Sequence, residues 1–329
     1  MCIKAVKRTI TAPWTTSSPD VDSRQSLDAR AVGLMTMLCL LWGFQQIALK
    51  ATAADFSPML HIGMRSGLSA VLVALLMAWR GERLTVANGV WQPGMAVGAL
   101  FALEFLVVAE ALRLTSAAHV VVFLYTSPMF AALGLHWKLP AERLAPLQWL
   151  GIVLAFAGVA VAFLMRDLHA VAHWQQMLLG DALALLGGAA WGATTVVIRT
   201  TQVSRLPATQ SLLYQLVMAF ALLVPAAMLT GQNTFHPTPI VLANLAFQAV
   251  IVSFLSFLLW FWLLRQYLAS RLGVLSFMTP MFGVVLGAWL LNEPIEGSFL
   301  AGAALVLCGV VLVSGYGWAM QLFKINSTK

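Results

Sequence analysis

Charge is what this chain has least of. Charged residues fill 9% of its 329 positions and hydrophobic ones 60%, with a mean hydropathy of +0.87. Soluble domains carry about 25% charged residues, so a water-soluble globular enzyme is excluded. Cysteine is scarce as well. Cys2, Cys39 and Cys308 are scattered and suit neither a disulfide frame nor a zinc site. His136, His169, His173 and His236 lack the spacing of metal ligands. There is no GxxxxGK[ST] loop, no GxSxG, no HExxH and no paired aspartate within the apolar runs. The sequence therefore predicts no ATP-driven or hydrolytic chemistry of its own, no cofactor and no metal.

What it has instead is long apolar runs. About 20 such residues cross the hydrocarbon core as a helix. Ten stretches qualify, roughly 31–50, 57–79, 94–113, 114–136, 145–165, 179–200, 207–230, 239–264, 270–291 and 297–318. They predict an all-α integral membrane protein of ten transmembrane helices. The chain also repeats itself. Trp42-Gly43 and Lys50 return as Trp191-Gly192 and Arg199 at an offset of 149, as does Pro58 in Pro207. Ser127-Pro128-Met129-Phe130 returns as Thr279-Pro280-Met281-Phe282 at 152, and Glu142, Gly151 and Gly158 return as Glu293, Gly302 and Gly309 at 151. A period this long marks an internal duplication, with five spans in each copy. Five is odd, so the copies enter the membrane from opposite sides and form two inverted five-helix repeats, a ground plan of secondary transporters. The boundaries read as a tail at 1–29, repeats at 30–172 and 173–319, and a second tail at 320–329.

Loop charges set the orientation, because Lys and Arg accumulate on the cytoplasmic side. With both termini inside, fifteen of the 19 basic residues fall in cytoplasmic segments, among them Lys7, Arg80, Arg199 and Arg271. Lys50, Arg113 and Arg166 fall outside, and Arg65 lies within a span. The +7 net charge is thus an orientation signal and no sign of nucleic-acid binding. It predicts a multi-pass protein of the cytoplasmic (inner) membrane with the lipid bilayer as its surroundings. Residues 1–29 are polar, with no apolar core of signal-peptide type, and read as a mobile cytoplasmic tail. Small residues at spacing four (Gly63/Gly67, Gly94/Gly98, Gly188/Gly192, Gly283/Gly287) let helices approach closely. They serve either seams within one bundle or a homodimer face, so monomer and homodimer both stay open. Trp79, Trp91, Trp137, Trp149 and Trp174 fall at expected interfaces, whereas Trp42, Trp191 and Trp260 lie deeper, in the core or lining a cavity.

The first-span LLWGFQQIALK, the segment LRLTSAAHVVVFLYTSPMFAALG with its following LPAER, and LGVLSFMTPMFGVVLGAWLLNEP resemble the drug/metabolite transporter superfamily, in its EamA branch. The resemblance runs over both copies, roughly 31–318. It implies a ten-helix carrier that alternates access to a central cavity between its halves and often exports amino acids or related small metabolites. Two positions depart from the family pattern. Asn292 precedes Glu293 where glycine is commoner, and the third span carries two carboxylates where the family is usually apolar.

Ionisable groups inside a span are costly unless paired or wetted, which makes each a candidate functional group. Counting about 1.5 Å per residue, Arg65 and Glu104 lie on the order of 12 Å below the outer surface, and His61, Glu110 and His119 about 5–8 Å down. Arg65 and Glu104 either pair with each other, bind substrate charges, or couple transport to protons through the carboxylate. The repeat maps Arg65 to Tyr214 at 149, and Glu104 to Ser256, Glu110 to Trp262 and His119 to Arg271 at 152. Charge is expected in the first half only. The second half offers Gln210, Tyr214, Gln215, Ser253 and Ser256 as neutral hydrogen-bonding groups or as helix contacts. Trp42 and Trp191 complete the expected cavity. Lys50 and Arg199 read as snorkelling anchors or gates, and Pro128 and Pro280 as kinks for a rocking carrier. The whole predicts a secondary exporter of small amphipathic solutes. An importer, or a non-transporting scaffold or receptor, is the alternative.

Overall fold

In hydrocarbon every backbone group must be satisfied within the protein, which leaves helices or closed barrels. This chain takes the helical route. The computed structural model describes residues 28–85, 89–138, 143–164, 173–267, 272, 275, 276, 278–295 and 297–327. Among them strand-like features are confined to isolated bridge residues, as between Phe56 and Phe235. The tail up to residue 27 and Glu142, Arg166, His169 and Arg271 lie outside the described residues.

Local chemistry sets the helix ends. α1 (Ala29–Ala51) starts at Asp28, whose carboxylate accepts the Ala31 amide at 2.7 Å. α2 (Pro58–Arg80) opens on a proline and stops at Gly81, whose φ of 67° suits a residue without Cβ. α3 (Trp91–Leu114) is followed by α4 (Ala117–Leu124), capped by the Ser116 hydroxyl. Then come α5 (Ser127–Lys138), α6 (Pro146–Leu164), α7 (Trp174–Thr200), a 3-10 turn (Gln202–Arg205) and α8 (Ala208–Leu229). α9 (Pro239–Ala246) runs through a π-helical segment (Phe247–Ser256) into α10 (Phe257–Gln266), and α11 (Met278–Leu291) and α12 (Gly297–Ser327) complete the order.

Among the described residues, seven helical stretches are long and apolar enough to cross a membrane: Ala29–Ala51, Pro58–Arg80, Trp91–Leu114, Ala117–Lys138, Trp174–Thr200, Ala208–Leu229 and Pro239–Trp260. Shorter apolar helices occupy Pro146–Val161, Met278–Leu291 and Gly297–Leu312. The fold is that of an all-helical, multi-pass membrane protein. Two ends differ from expectation. α7 begins at Trp174 instead of 179, and α12 continues to Ser327, past 318.

The kink expected at Pro128 falls just upstream, at Tyr125–Thr126, between α4 and α5. Proline has no N–H and disfavours helical geometry in the residue before it. The Thr126 hydroxyl and amide both turn back to the Phe123 carbonyl, at 2.6 and 3.2 Å, and satisfy the interrupted ladder. Pro280 is the third residue of α11, in its first turn.

Packing runs across the duplication. The most extensive contacts pair α6 with α12, α3 with α7 and α8, α2 with α8, α1 with α11, and α5 with α7. Each joins a helix ending before residue 165 to one starting after 173. The small-residue pairs also lie where the halves meet: Gly63 and Gly67 against α8, Gly94 and Gly98 against Tyr214 and Met218, Gly188 and Gly192 against α4 and α5, and Gly283 and Gly287 against α4. A Cβ on Gly98 would sit 2.6 Å from the Tyr214 carbonyl oxygen, so the α3–α8 approach requires glycine there. The core thus lies between the halves, where a polar group is shielded from both lipid and water.

Candidate functional site

Arg65 is the centre of that shielded region. It is 1% exposed and stands one turn beyond His61 on α2. Its Nη1 donates to Gln45 Oε1 on α1 at 3.0 Å and also to Gln248 Oε1 in the π segment. The guanidinium carbon sits 4.8 Å over the Phe105 ring of α3, and Nε has no partner. Cation–π contact and amide dipoles lower the cost of burying the charge. Gln248 Nε2 in turn donates to the Gln45 carbonyl at 2.9 Å, which locks the two amides together.

Glu104 on α3 is 5% exposed, and its Oε2 has no partner. Its charge acts on Arg65. No ion pair within 4.0 Å joins them among the described residues, however. The direct pair considered from the sequence is therefore not formed, because two neutral amides hold the guanidinium instead. Arg65 Nε and Glu104 Oε2 are thus both buried polar atoms without a partner. Tyr125 is buried too, and its ring stands edge-on to Trp191 at 5.3 Å.

The π segment accounts for the positions of several of these groups. Residues in π-helices bond i→i+5, a rare geometry that concentrates at functional sites. Here it carries Gln248, Ala249, Ser253 and Ser256 as buried residues. Ser69 Oγ of α2 donates to the Ala249 carbonyl at 2.8 Å, and Trp42 Nε1 of α1 donates to Ser256 Oγ at 2.9 Å. Trp42 also meets Trp260 edge-on at 5.6 Å. Trp42 and Ser256 were separate candidates in the sequence, and the fold brings them together. Gln45 and Gln248 were missed. Gln45 lies inside the repeated WGFQQIALK, and Gln248 is a lone amide in the apolar run LAFQAVIV.

The other candidates lie apart from Arg65. Glu110 pairs with Arg113 at 2.9 Å and accepts from Gln232 Nε2, so it ties the end of α3 to the α8–α9 loop. His119 Nδ1 lies 2.9 and 3.0 Å from the two carboxylate oxygens of Asp181 on α7, and its ring stacks on Phe299 at 3.9 Å. Thr115 Oγ1 donates to Asp181 at 2.6 Å. Asp181 is fully buried, which corrects the expectation that only the first half carries charge. Tyr214 packs on Gly94, and Gln215 is buried in α8. His61 stacks on Phe56 at 4.3 Å with neither ring nitrogen partnered.

Lys50 is also placed differently from expectation. Its Nζ turns inward and donates to the Leu112 and Thr115 carbonyls, each at 2.5 Å, instead of snorkelling. The last carbonyls of a helix have no internal partners and favour a cation. At the other side of the same corner, Glu293 accepts the Ala117 and Ala118 amides at 2.8 and 3.2 Å. The α3–α4 corner is thus clamped from both halves. Among the described residues no group of three or more metal-binding side chains converges.

A bundle of apolar helices holding a buried cation, a buried carboxylate and unpartnered polar atoms where its halves meet is built like a membrane carrier. Comparison with known proteins agrees. The EamA-like transporter family profile matches this chain twice, over residues 29–164 and 178–315, and the chain belongs to that family. It is 23% identical over 283 residues to the uncharacterized transporter YoaV of Bacillus subtilis, covering 83% of this chain and 92% of YoaV. It is 25% identical over 310 residues to a probable amino-acid metabolite efflux pump of Escherichia coli, covering 91% and 100%. A similarly named pump of Salmonella typhimurium is 25% identical over 289 residues, covering 85% and 93%. A solved structure described as "Crystal structure of protein" superimposes with a TM-score of 0.63 at 18% identity, over 89% of this chain and 99% of that one. The three named relatives are all described as transporters or efflux pumps.

Proposed function

We propose that this protein is a secondary carrier exporting small amphipathic metabolites, amino acids or close relatives, by alternating access. Its ten spans form two inverted five-helix repeats, at 30–172 and 173–319, with both termini in the cytoplasm. The double match to the family profile and the bias of basic residues support that plan. The names of the Escherichia coli and Salmonella typhimurium relatives support amino-acid export.

The observation that carries the reading is the pair Arg65 and Glu104. Both are buried, within electrostatic range yet not in contact, and each has an unpartnered polar atom. A zwitterion meets both needs, its carboxylate at the guanidinium and its ammonium at Glu104. Trp42, Trp191 and Tyr125 supply apolar walls. Ser256 supplies the second-half side, Tyr214 packs α8 on Gly94 of α3, and Pro128 and Pro280 stand where helices bend or begin.

Efflux of labelled amino acids from proteoliposomes, with and without an imposed pH gradient, tests this. Wild type is expected to release label, Arg65→Ala to lose release while staying folded, and Glu104→Gln to lose the response to the gradient. Release undiminished in folded Arg65→Ala would refute the site.

A further inference from the structure

The way Arg65 is held identifies which part of a solute it takes, given the carrier reading above. We infer that Gln45 and Gln248 are stand-ins for a substrate carboxylate, and that a solute without a carboxylate is not bound. A guanidinium offers paired N–H groups in a planar fork that matches a carboxylate in two places. In this structure that fork is used poorly. Two neutral amide oxygens share the single nitrogen Nη1, while the Nε edge donates to nothing. A carboxylate brings the opposite charge and can bond two guanidinium nitrogens at once, which neither amide does. An incoming carboxylate therefore displaces the amides and engages the empty Nε edge as well.

The displaced groups have another place to act. Gln45 belongs to α1 and Gln248 to the π segment, and their mutual bond is part of what joins these elements. Ser69 and Trp42 hold the same segment at Ala249 and Ser256. When a carboxylate takes Arg65, the π segment loses a hold on α2, and rewinding to i→i+4 bonding turns Gln248 out of register with Ser256. Substrate binding is thereby linked to loosening of the contact between halves. Glu104, whose buried Oε2 has no partner, receives the ammonium of the same solute.

Three proteins separate this from a merely structural role: wild type, Gln248→Glu and Gln248→Ala, purified and reconstituted. Binding is read as thermal protection by alanine, leucine and phenylalanine, each beside its amine and amino-alcohol counterpart, and transport by uptake or release of the same labelled solutes. Gln248→Glu fixes a carboxylate on Arg65. It is expected to stay folded, to melt higher than wild type, and to lose protection and transport by at least about tenfold. Gln248→Ala removes one competitor and is expected to lower KM by about tenfold, with carboxylate selectivity kept. Wild-type levels of binding in Gln248→Glu, protection by the amines equal to that by the amino acids, or no protection by any carboxylate solute would overturn the inference. Carboxylate-dependent protection without transport would support the inference and defeat the carrier reading, and transport of amines alone would do the reverse.

Discussion

A single buried charge can be read from sequence because it is rare, whereas its neutral partners cannot. Arg65 and Glu104 stand out in apolar runs, but Gln45 and Gln248 are ordinary polar residues until the fold joins positions 203 apart. Asp181 was missed for a different reason: it lies near the start of its apolar stretch, where a carboxylate reads as interfacial. The fold buries it completely against His119 and Thr115. Leaving a buried donor unsatisfied costs about 1–3 kcal/mol, and Asp181 serves both Thr115 and His119. Asp181→Leu is therefore expected to lower stability by about 3 kcal/mol in chemical or thermal melts. Asp181→Asn keeps an acceptor for Thr115 and should lose less. Asp28 acts outside the spans. The Ala31 amide chiefly holds its carboxyl below the usual range, with the Tyr267 hydroxyl helping and desolvation opposing. A folded value below the unfolded one means the cap is fully effective above the ordinary carboxylate range. It fades as pH falls through the lowered value. Amide exchange at Ala31 to Leu34, corrected for intrinsic rates, should show protection lost in acid for wild type and kept in Asp28→Asn.

Helices were legible where hydropathy alone decides them, and less so where a neighbour does. The stretches expected at 57–79 and 207–230 agree with α2 and α8 to within a residue or two, because apolar length is a local property. The π segment carries no comparable signal in its residues and emerges only from contact with α1 and α2. The break before α5 was half legible, since Pro128 announces it while Thr126 fixes its place. Glycines at spacing four were read as close contacts without knowledge of their partners. On α3, Gly98 meets α8 backbone, whereas Gly33 on α1 faces nothing within 4 Å. Gly98→Val is expected to cost about 2 kcal/mol or more by overpacking. Gly33→Ala should be neutral or slightly stabilising. Expression level and melting temperature of the two variants, measured side by side, check the contrast.

At the scale of the whole molecule, duplication matters more than any residue. The largest packing surfaces join one copy to the other, so motion of the copies against each other would open the region around Arg65. Lys50 and Glu293 clamp the α3–α4 corner, while Glu110, Gln232 and Ser57 tie the α1–α2 and α8–α9 connections together. These ties lie at one end of the bundle, the outer face in the proposed orientation. A reporter fused at the C terminus should face the cytoplasm, and one in the loop 230–238 the other side. A third reporter in the α2–α3 connection, which the repeat equates with the α8–α9 loop, should face the cytoplasm, and finding it on the same side as the one in 230–238 would rule out the inverted arrangement.

Alternating exposure of the Arg65 region is the central claim, and its most direct test is the accessibility of Gln45→Cys in a background lacking Cys2, Cys39 and Cys308. Under alternating access a membrane-impermeant thiol reagent reaches this cysteine from either face of the membrane, and a transported amino acid slows the reaction. Labelling from one face only, or labelling indifferent to the solute, would contradict it.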